Sequence, residues 1–454
     1  MAHETVRLVT YAASLRYEDI PAPVLRRAKD CLIDTVAVCL YGEQAPWSRI
    51  VAEQARLAAS PGRSRIFATG MPPLSAEAAA RANGVLAHAT EMDSLRKPGS
   101  GVHPGAVLVP AALAAAQERG AGGKALLTAL VGGCEAMFRI GRATRHSAET
   151  RGFHAPGLTG PFGAAAAAGF LFGLKPDAMT RAFGIAGSLC GGLMQFAAGS
   201  DGGMVKKLHI GRAAENGIVA ARLAEAGFDG PSTILEGKVG FLASYCEQYD
   251  IESLVSGLGE DYETLKICFK RYPCHITAHT PVHAMEVLRA KHGFSGADVE
   301  SVVIDGAKRI AEFNANQDPT DLSMASYSIP YCVAIALLRD TSNPDSFDES
   351  ALSDPAMKDL RHRIRIVSTG GGGHSDWTTT SRVTLKDGRV FEQHQSDFPG
   401  TPSLPLNSEQ LEHKFMALTR RMDNTAAKRL YERLDQIEQE ASLDWLHGPD
   451  KAQK

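Results

Sequence analysis

The segment FKRYPCHITAH, at residues 269–279, gathers side chains that carry charge or transfer protons. Lys270 and Arg271 are cationic, and His275 and His279 are imidazoles, whose ordinary pKa of about 6.5 lets them accept and release protons near neutral pH. A metal site, a nucleophile at the cysteine, an acid–base site and an ordinary polar loop are the alternatives for this segment. The other polar loops of the chain help to choose between them.

Zinc binding is the first alternative, because His275 and His279 are four residues apart and would share one face of a helix. Pro273 and the lack of a second, acidic ligand argue against it. The chain also has no HExxH motif and no cysteine–histidine pairs at zinc-finger spacing. No acyl-transfer signature surrounds Cys274, which disfavours a nucleophile. We therefore predict no metal site.

Three more polar segments precede helices that are rich in alanine and glycine. Asp93 and His103 flank a loop of Gly, Pro and Ser, and His154 begins a second such entry. Lys206 and Lys207 precede the third helix. Alone, each segment also fits a helix cap, a structural histidine or a solvated turn. Helices this apolar should be buried, however, and their N-terminal ends favour anions through the helix macrodipole.

The candidate set that results, with Tyr331 added from YSIPYCVAIALL, is rich in cations and proton carriers and poor in carboxylates. Such a set suits a substrate with more than one carboxylate and a reaction that moves a proton. The candidate catalytic residues are Asp93, His103, His154, Lys206, Lys270, His275 and Tyr331, and the candidate substrate-binding residues are Arg96, Lys207 and Arg271.

The composition excludes several classes of function. The 454 residues include 48 Lys and Arg against 51 Asp and Glu, so no basic field for nucleic acid is expected. No apolar run reaches the roughly 20 residues of a membrane span, and the N-terminus lacks the pattern of a signal peptide. The eight cysteines are scattered without a CxxC pair, as in a reducing compartment. We expect a cytoplasmic protein without nucleic-acid or membrane partners.

The hydrophobic pattern predicts a mainly α chain of two domains. Residues 1–265 and 403–454 are predicted to form a large all-helical domain, and residues 266–402 a smaller α+β domain. VESVVIDGA, HRIRIVSTG and SRVTLKDGRVFEQH have the composition of strands, the last with an Asp-Gly hairpin turn. STGGGGHSDW precedes a strand and not a helix, which favours a flexible inter-strand loop over a nucleotide site.

Seven segments of the chain form a characteristic set: RRAKDCLIDTVAVCLYG, ANGVLAHATEMD, HPGAVLVPAALAAA, FHAPGLTGPFGAAAAAG, KKLHIGRAAENGIVAARLAEAGFDGPSTILEG, FKRYPCHITAH and PGTPSLPLNSEQLEHKF. Together they resemble the MmgE/PrpD family, which includes dehydratases, decarboxylases and epimerases. The resemblance covers nearly the whole chain and implies a homodimer with a helical domain from both chain ends, a smaller lid, an active site between the domains, and no metal or organic cofactor.

The resemblance also implies roles for single residues. Members of the family commonly carry Asp-x-Asp-Asp in the first loop, whereas this chain has DSLR from Asp93, so two acids are expected to be replaced by Leu95 and Arg96. The family's decarboxylase pattern maps on Asp93, His103, His154, Lys206, Lys270, His275 and Tyr331.

We predict a cofactor-independent lyase that acts on a small di- or tricarboxylate by abstracting a proton next to a carboxylate. Lys206 and Lys270 would stabilise the developing negative charge, and His103 or His275 would move the proton. Asp93 would orient His103. A 2-methylcitrate-type dehydration is the first expectation, a cis-aconitate-type decarboxylation the second, and an iminodisuccinate-type epimerisation the third. A protein that binds an anionic metabolite without turnover is the non-enzymatic alternative.

Overall fold

The computed structural model describes residues 3–58, 60–99, 101–198, 202–370 and 376–449. It confirms the prediction of a mainly α chain. Residues 1–269 and 411–454 form one compact unit, and residues 270–410 form another. The division thus falls after Phe269 and Gln410, whereas the sequence predicts boundaries at 265 and 403.

The elements follow each other in this order along the chain. The helices are α1 (Glu4–Ser14), α2 (Ala22–Gly42), α3 (Pro46–Ala58), α4 (Ala76–Ala87), α5 (Pro104–Arg119), α6 (Gly123–Ala143), α7 (Ser147–Thr150), α8 (Ala155–Leu171), α9 (Pro176–Ser188), α10 (Gln195–Ala198), α11 (Val205–Glu225), α12 (Phe241–Tyr245), α13 (His279–His292), α14 (Lys308–Phe313), α15 (Leu322–Ala325), α16 (Ile329–Leu338), α17 (Glu349–Ser353), α18 (Pro355–His362), α19 (Ser408–Thr419) and α20 (Asn424–Asp435). The strands are β1 (Pro61–Ser64), β2 (Leu95–Arg96), β3 (Ile267–Cys268), β4 (Val299–Gly306), β5 (Ile364–Val367), β6 (Thr379–Leu385) and β7 (Val390–Gln395).

The centre of the first unit is made of the helices that the sequence predicts to be buried. Helices α5 and α8 are buried along almost their whole length, as their alanine and glycine content indicates. Helix α5 ends at Gly120, which adopts a left-handed conformation with φ of 64°. The unit is not purely helical, because β2 in the first loop pairs antiparallel with β3.

Two glycines allow α4 and α11 to cross closely. A Cβ atom on Gly84 would lie 2.9 Å from the Cα of Gly211, and one on Gly211 would lie 2.4 Å from the carbonyl oxygen of Arg81. Any larger residue at either position would push the two backbones apart. The crossing therefore holds the first turns of α11 beside the loop that follows α4.

Helix α11 begins earlier than the sequence predicts. The predicted loop residues Lys206 and Lys207, and His209 after them, lie within its first two turns, because the helix starts at Val205. Lysine and leucine are good helix formers, and Gly202 and Gly203 are the residues that interrupt the pattern. The three side chains are consequently placed by helical geometry and not by a loop.

The second unit contains the predicted strands. Its sheet has the order β5-β4-β6-β7, with β4 parallel to β5 and antiparallel to β6. The predicted hairpin joins β6 to β7, and Gly388 in its turn has a φ of 87°. Helices α13 and α16 pack together and carry much of the core. The glycine-rich segment lies between β5 and β6 in the chain, and its residues 371–375 are outside the described residues.

Membrane-spanning helices and disulfide bonds are two features on which the sequence made a prediction. Within the ranges described above, no helix is long and apolar enough to cross a membrane. All eight cysteines lie in those ranges, and none of them forms a disulfide.

A buried ion pair connects α19 to α2, and the same lysine also contacts the backbone of the first loop. The ammonium group of Lys414, on α19, contacts the carboxylate of Asp34 at 2.5 Å and donates to the carbonyl oxygen of Met92 at 3.0 Å. Burial raises the pKa of Asp34 to about 6, although Lys414 acts to lower it. Asp34 is therefore ionised at pH 7.5 and depends on Lys414 for compensation.

We expect Lys414→Met to lower the free energy of unfolding by about 3–5 kcal/mol, because a buried charge would lose its partner. Urea denaturation at pH 7.5 measures this loss. The double variant Asp34→Asn/Lys414→Met is the matched control and should recover much of the stability, since both charges are absent. A single variant as stable as the wild type would contradict a compensating role for Lys414.

Candidate active site

Asp93 lies at the centre of the candidate site and is completely buried. Its Oδ2 accepts hydrogen bonds from Nδ1 of His88 at 2.9 Å and from Nδ1 of His103 at 2.8 Å. The two imidazole rings stand nearly perpendicular, with centroids 4.8 Å apart. A carboxylate only accepts hydrogen bonds, so both rings present Nδ1–H to Asp93 and their Nε2 atoms lie on the far edges.

The environment sets the charges of this trio. Burial alone would raise the pKa of Asp93, but the two histidines hold that pKa well below its usual value. Burial lowers the pKa of His88 to about 3, and the nearby charge of Lys206 contributes to the decrease. At neutral pH, Asp93 is therefore an anion and His88 is neutral. The Nε2 atom of His88 is buried and has no hydrogen-bond partner among the described residues.

Glu91 is a buried acid that sequence reasoning missed. Its carboxylate contacts the ammonium group of Lys206, and its Oε1 lies 3.8 Å from Nζ of Lys207 and 4.0 Å from Nε2 of His88. Its backbone adopts a left-handed conformation, with φ of 56°. The first loop therefore holds two acids, Glu91 and Asp93. The second acid precedes Asp93, whereas the further acids of the family pattern follow the first Asp. The usable signal was a second acid two residues before Asp93 in the segment ANGVLAHATEMD.

Lys206 and Lys207 are both buried, although two adjacent lysines usually face solvent. Both ammonium groups lie near Glu91, but successive residues of a helix point in different directions, so the other contacts of the two side chains differ. Lys207 lies over the ring of Trp47, with Nζ 5.6 Å from the centroid. Glu91 compensates this charge from the first loop. The arrangement places cationic groups next to the Asp93 trio.

His154 caps the start of α8 and contacts a second histidine, His209, that the candidate set did not include. Their Nδ1 atoms are 3.1 Å apart, and the ring of Phe196 packs against both. Burial lowers the pKa of His154 well below its ordinary value, helped by the charge of Lys206 and by neighbouring imidazoles. Burial also lowers the pKa of His209. Both rings are neutral at neutral pH.

Arg96 lies in the first unit, but its guanidinium group is bound to other residues of the protein. Two of its nitrogens lie 2.7 Å from the carboxylate of Glu263, and a third donates to the carbonyl oxygen of Pro98 at 2.6 Å. Glu263 is buried, and although burial acts to raise its pKa, Arg96 and Lys266 lower that pKa. This ion pair accounts for the buried arginine, and the predicted contact of Arg96 with substrate stays a prediction.

The other predicted residues belong to the second unit. Lys270 is buried there, and Arg271 lies 3.8 Å from the carboxylate of Glu286. His275 hydrogen-bonds through Nδ1 to the hydroxyl of Thr277 at 2.8 Å, and its ring stacks on Tyr327 at 4.6 Å. Tyr327 is thus the tyrosine that contacts His275, which the sequence alone did not indicate.

Tyr331 is buried in the core of the second unit, where its hydroxyl donates to the backbone carbonyl of Asp348 at 3.1 Å. Burial raises its pKa above the ordinary value. A neutral hydroxyl in this position stabilises the fold of the unit. The predicted catalytic role of Tyr331 stays a prediction.

His279 and Cys274 form a buried pair in the same unit, with Nδ1 and Sγ 3.6 Å apart. Nε2 of His279 accepts hydrogen bonds from the backbone N–H groups of Arg271 and Tyr272, so it is already engaged within the protein. Burial would raise the pKa of Cys274, but the thiol of Cys332 and His279 lower it to about 6. The alternative of a zinc site at His275 and His279 gains no support from these contacts.

His88, Asp93 and His103 are residue types that bind metal ions, and their ligand atoms lie within 4.8 Å of one another. The present contacts are hydrogen bonds, however: both Nδ1 atoms carry protons that they donate to Asp93. A metal would require these nitrogens to be deprotonated, and each would then lie about 2.0–2.1 Å from the ion. The arrangement therefore fits two histidines that are held by the Asp93 carboxylate better than it fits a metal centre.

We expect activity to survive prolonged dialysis against EDTA, because the chemistry is assigned to protonated side chains and ammonium groups. Turnover before and after chelation, with metal content measured in both samples, tests this. Activity that disappears on chelation and returns with zinc or iron would assign the trio to a metal instead.

The buried histidines predict how stability depends on pH. His88 stays neutral down to about pH 3 in the folded protein, whereas an unfolded chain protonates it near pH 6.5. Between these values the unfolded state binds more protons, so the free energy of unfolding falls as pH falls. His154 acts in the same direction. Asp34, with its pKa raised to about 6, acts in the opposite direction between about pH 4 and 6.

We expect the wild type to lose more stability than His88→Asn between pH 7 and pH 5, because the variant lacks one histidine whose pKa is lowered by burial. Asparagine retains an N–H donor for Asp93 but does not titrate. Urea denaturation at pH 5, 6 and 7 measures the slopes. His362→Asn changes a histidine whose side chain is 45% exposed and serves as control. Equal slopes in His88→Asn and the wild type would exclude a neutral, buried His88.

Comparison with known proteins supplies independent information. A model of the MmgE/PrpD N-terminal domain matches residues 6–254, and one of the MmgE/PrpD C-terminal domain matches residues 272–439. The chain is 33% identical over 445 residues to a cis-aconitate decarboxylase of Aspergillus terreus (strain NIH 2624 / FGSC A1156), covering 91% of this chain and 89% of the relative. It is 28% identical over 433 residues to human cis-aconitate decarboxylase, covering 92% and 88%.

Proposed function

Because this chain belongs to the MmgE/PrpD family and is an enzyme of its lyase type, we propose that it decarboxylates a cis-aconitate-like tricarboxylate without a cofactor. The observation that carries the proposal is the pair of imidazoles on buried Asp93, adjacent to a cluster of buried lysines. The relatives named above are described as decarboxylases, which favours this reaction over the dehydration that the sequence placed first.

The proposed reaction needs a proton donor and charge stabilisation. In a β,γ-unsaturated acid, the bond to one carboxylate breaks and releases carbon dioxide. Its electron pair forms a new double bond, and the former double-bond carbon, next to another carboxylate, becomes electron-rich. That carbon takes up one proton. The product therefore has one carboxylate fewer and one new C–H bond.

His103 is the residue that we assign to the proton transfer. Asp93 fixes its Nδ1 edge, so Nε2 is the atom that can exchange a proton with substrate. Its side chain is 12% exposed, whereas His88 on the same carboxylate is fully buried. His88 then serves to hold Asp93 in place.

Lys206 and Lys207 are the residues that we assign to charge stabilisation in the first unit. A tricarboxylate brings three negative charges, and their removal from water is costly unless cations receive them. Preorganised cations also stabilise the charge that develops on the reacting carbon. Glu91 keeps these lysines compensated before substrate binds. Lys270, Arg271, His275 and Tyr331 of the second unit stay candidates from the sequence analysis.

Proton NMR in heavy water, with cis-aconitate, citrate, 2-methylcitrate and iminodisuccinate in separate samples, tests the proposal. We expect new vinyl signals from cis-aconitate with release of carbon dioxide and uptake of one deuterium. Vinyl signals from a hydroxy acid without carbon dioxide would identify a dehydratase, and deuterium uptake without a new product would identify an epimerase. Binding of these acids without any turnover would favour a binding protein.

We further propose that the enzyme is a cytoplasmic homodimer, as the family resemblance implies. Size-exclusion chromatography with light scattering gives the mass in solution, which would be twice 48.4 kDa for a dimer. A mass equal to that of one chain would contradict the dimer.

A further inference from the structure

The contact between His154 and His209 has a consequence for the protonation of His154. Two neutral imidazoles whose Nδ1 atoms are 3.1 Å apart share one hydrogen bond, so one Nδ1 must carry a proton and the other must accept it. A neutral imidazole has only one N–H group. The ring that accepts at Nδ1 therefore carries its own proton at Nε2, and the ring that donates has a bare Nε2.

The surroundings hold the two rings in this contact. The backbone N–H of His154 donates to the carbonyl oxygen of Gly192 at 3.0 Å, and Phe196 packs with ring centroids 5.2 Å from His154 and 5.8 Å from His209. A Cβ atom on Gly192 would lie 3.1 Å from Nδ1 of His209, so only glycine leaves full room for that ring. The start of α8, the first turns of α11 and the segment around α10 therefore hold the two rings in contact.

His209 borders a pocket of about 460 Å³, whereas His154 is buried. Leu189, Leu193 and Phe196 supply much of the pocket's apolar wall, and Arg212 and Asn216 lie on the same side of α11 as His209. Arg212 is paired with Glu215 at 2.7 Å, and Asn216 donates to the carbonyl oxygen of Leu189 at 2.8 Å. A small molecule that enters the pocket can thus reach the position of His209.

Charged and titratable groups surround the pair from several elements. Lys206, His88 and His103 act electrostatically on His154 from the side of the candidate site. The ion pair of Arg212 and Glu215 lies beside His209 on α11. His154 is therefore the member of the pair that is electrostatically coupled to the proposed catalytic groups.

We infer that His209 is a positioning residue, which donates its Nδ1 proton to His154 and thereby keeps the proton of His154 at Nε2. The inference rests on the proposed function, because it matters only if His154 takes part in binding or proton transfer. A ring fixed in this way offers an N–H donor at Nε2 to a substrate carboxylate or to the reacting carbon. Partners that fix the tautomer of a functional histidine elsewhere contribute factors of about 10–100.

Two substitutions at the same position test the inference. His209→Leu fills similar space but cannot donate, so kcat should fall about 10- to 100-fold with KM changed less than threefold. His209→Asn can donate from Nδ2, near the position of the histidine Nδ1, and should retain at least one third of kcat. Equal kcat in His209→Leu and the wild type, or an equal loss in His209→Leu and His209→Asn, would overturn the inference.

Chemical rescue supplies a second readout that a purely structural role would not affect. In His209→Ala, added imidazole can enter through the pocket and take the place of the missing ring. We expect imidazole to restore kcat at least fivefold, and N-methylpyrrole, which has a similar shape but no N–H donor, to restore none. Recovery with neither compound, or with both equally, would contradict the donor role.

His154→Asn separates this inference from the proposed function. If His154→Asn retains full decarboxylase activity, His154 has no part in the reaction, and this inference fails while the proposed function stands. A wild type that releases no carbon dioxide from cis-aconitate would instead overturn the proposed function. If His154→Asn loses activity while His209→Leu retains it, only the inference about His209 fails.

Discussion

His103→Asn is expected to lower kcat for the proposed decarboxylation by about 100- to 10,000-fold, the range for loss of a general acid or base. Asparagine reproduces the contact of His103 with Asp93 but has no second nitrogen that exchanges protons. Stopped assays of carbon dioxide release measure kcat, and circular dichroism checks that the variant is folded. His362→Asn, in an exposed ion pair with Asp318, is the control and should not change kcat.

Asp93→Asn provides the matched comparison for His103→Asn. It removes the anion that holds both imidazoles, so its loss of kcat should resemble that of His103→Asn. The double variant should be hardly slower than either single variant, because both changes interrupt one unit. Losses that multiply in the double variant would show that the two residues act independently, and a fully active His103→Asn would remove His103 from the mechanism.

Lys206→Met is expected to lower kcat/KM by at least about 100-fold, because one preorganised charge contact contributes about 10²–10³ in rate. Methionine keeps the length and packing of the side chain without its charge. The single variant also removes the ammonium group that contacts Glu91, while Lys207 lies farther away at 3.8 Å, so we expect it to lose stability as well.

The double variant Glu91→Gln/Lys206→Met distinguishes catalysis from folding. Removal of both charges should recover stability but not activity, since the substrate would still lack the ammonium group. Lys124→Met changes a lysine whose side chain is 57% exposed and is the lysine control. Recovery of activity in the double variant would mean that Lys206 serves only to compensate Glu91.

Local sequence patterns determined much of the fold. The apolar composition, rich in alanine and glycine, indicated the buried helices α5 and α8, and the alternation of β-branched residues indicated β4. The Asp-Gly pair indicated the hairpin between β6 and β7. These features depend on neighbours within a few residues, where steric and hydrophobic periodicity acts directly.

The sequence also identified Asp93 and His103 as a pair, because both flank one loop that enters a buried helix. It did not identify His88, Glu91 or His209, which lie within apolar or helical segments and look like ordinary residues there. Arg96 shows the reverse case: its charge suggested a substrate contact, and its guanidinium group is bound to Glu263, 167 positions away in the chain.

Only the tertiary structure decided which of these side chains meet. The close crossing at Gly84 and Gly211 sets α11 beside the first loop, and that crossing is what brings Lys206 to Glu91. The packing of α11 against α8, where a Cβ atom on Gly160 would lie 2.8 Å from the Cβ of Ala213, places His209 beside His154. Burial then fixes the charge states, because desolvation and nearby charges act through space and not along the chain.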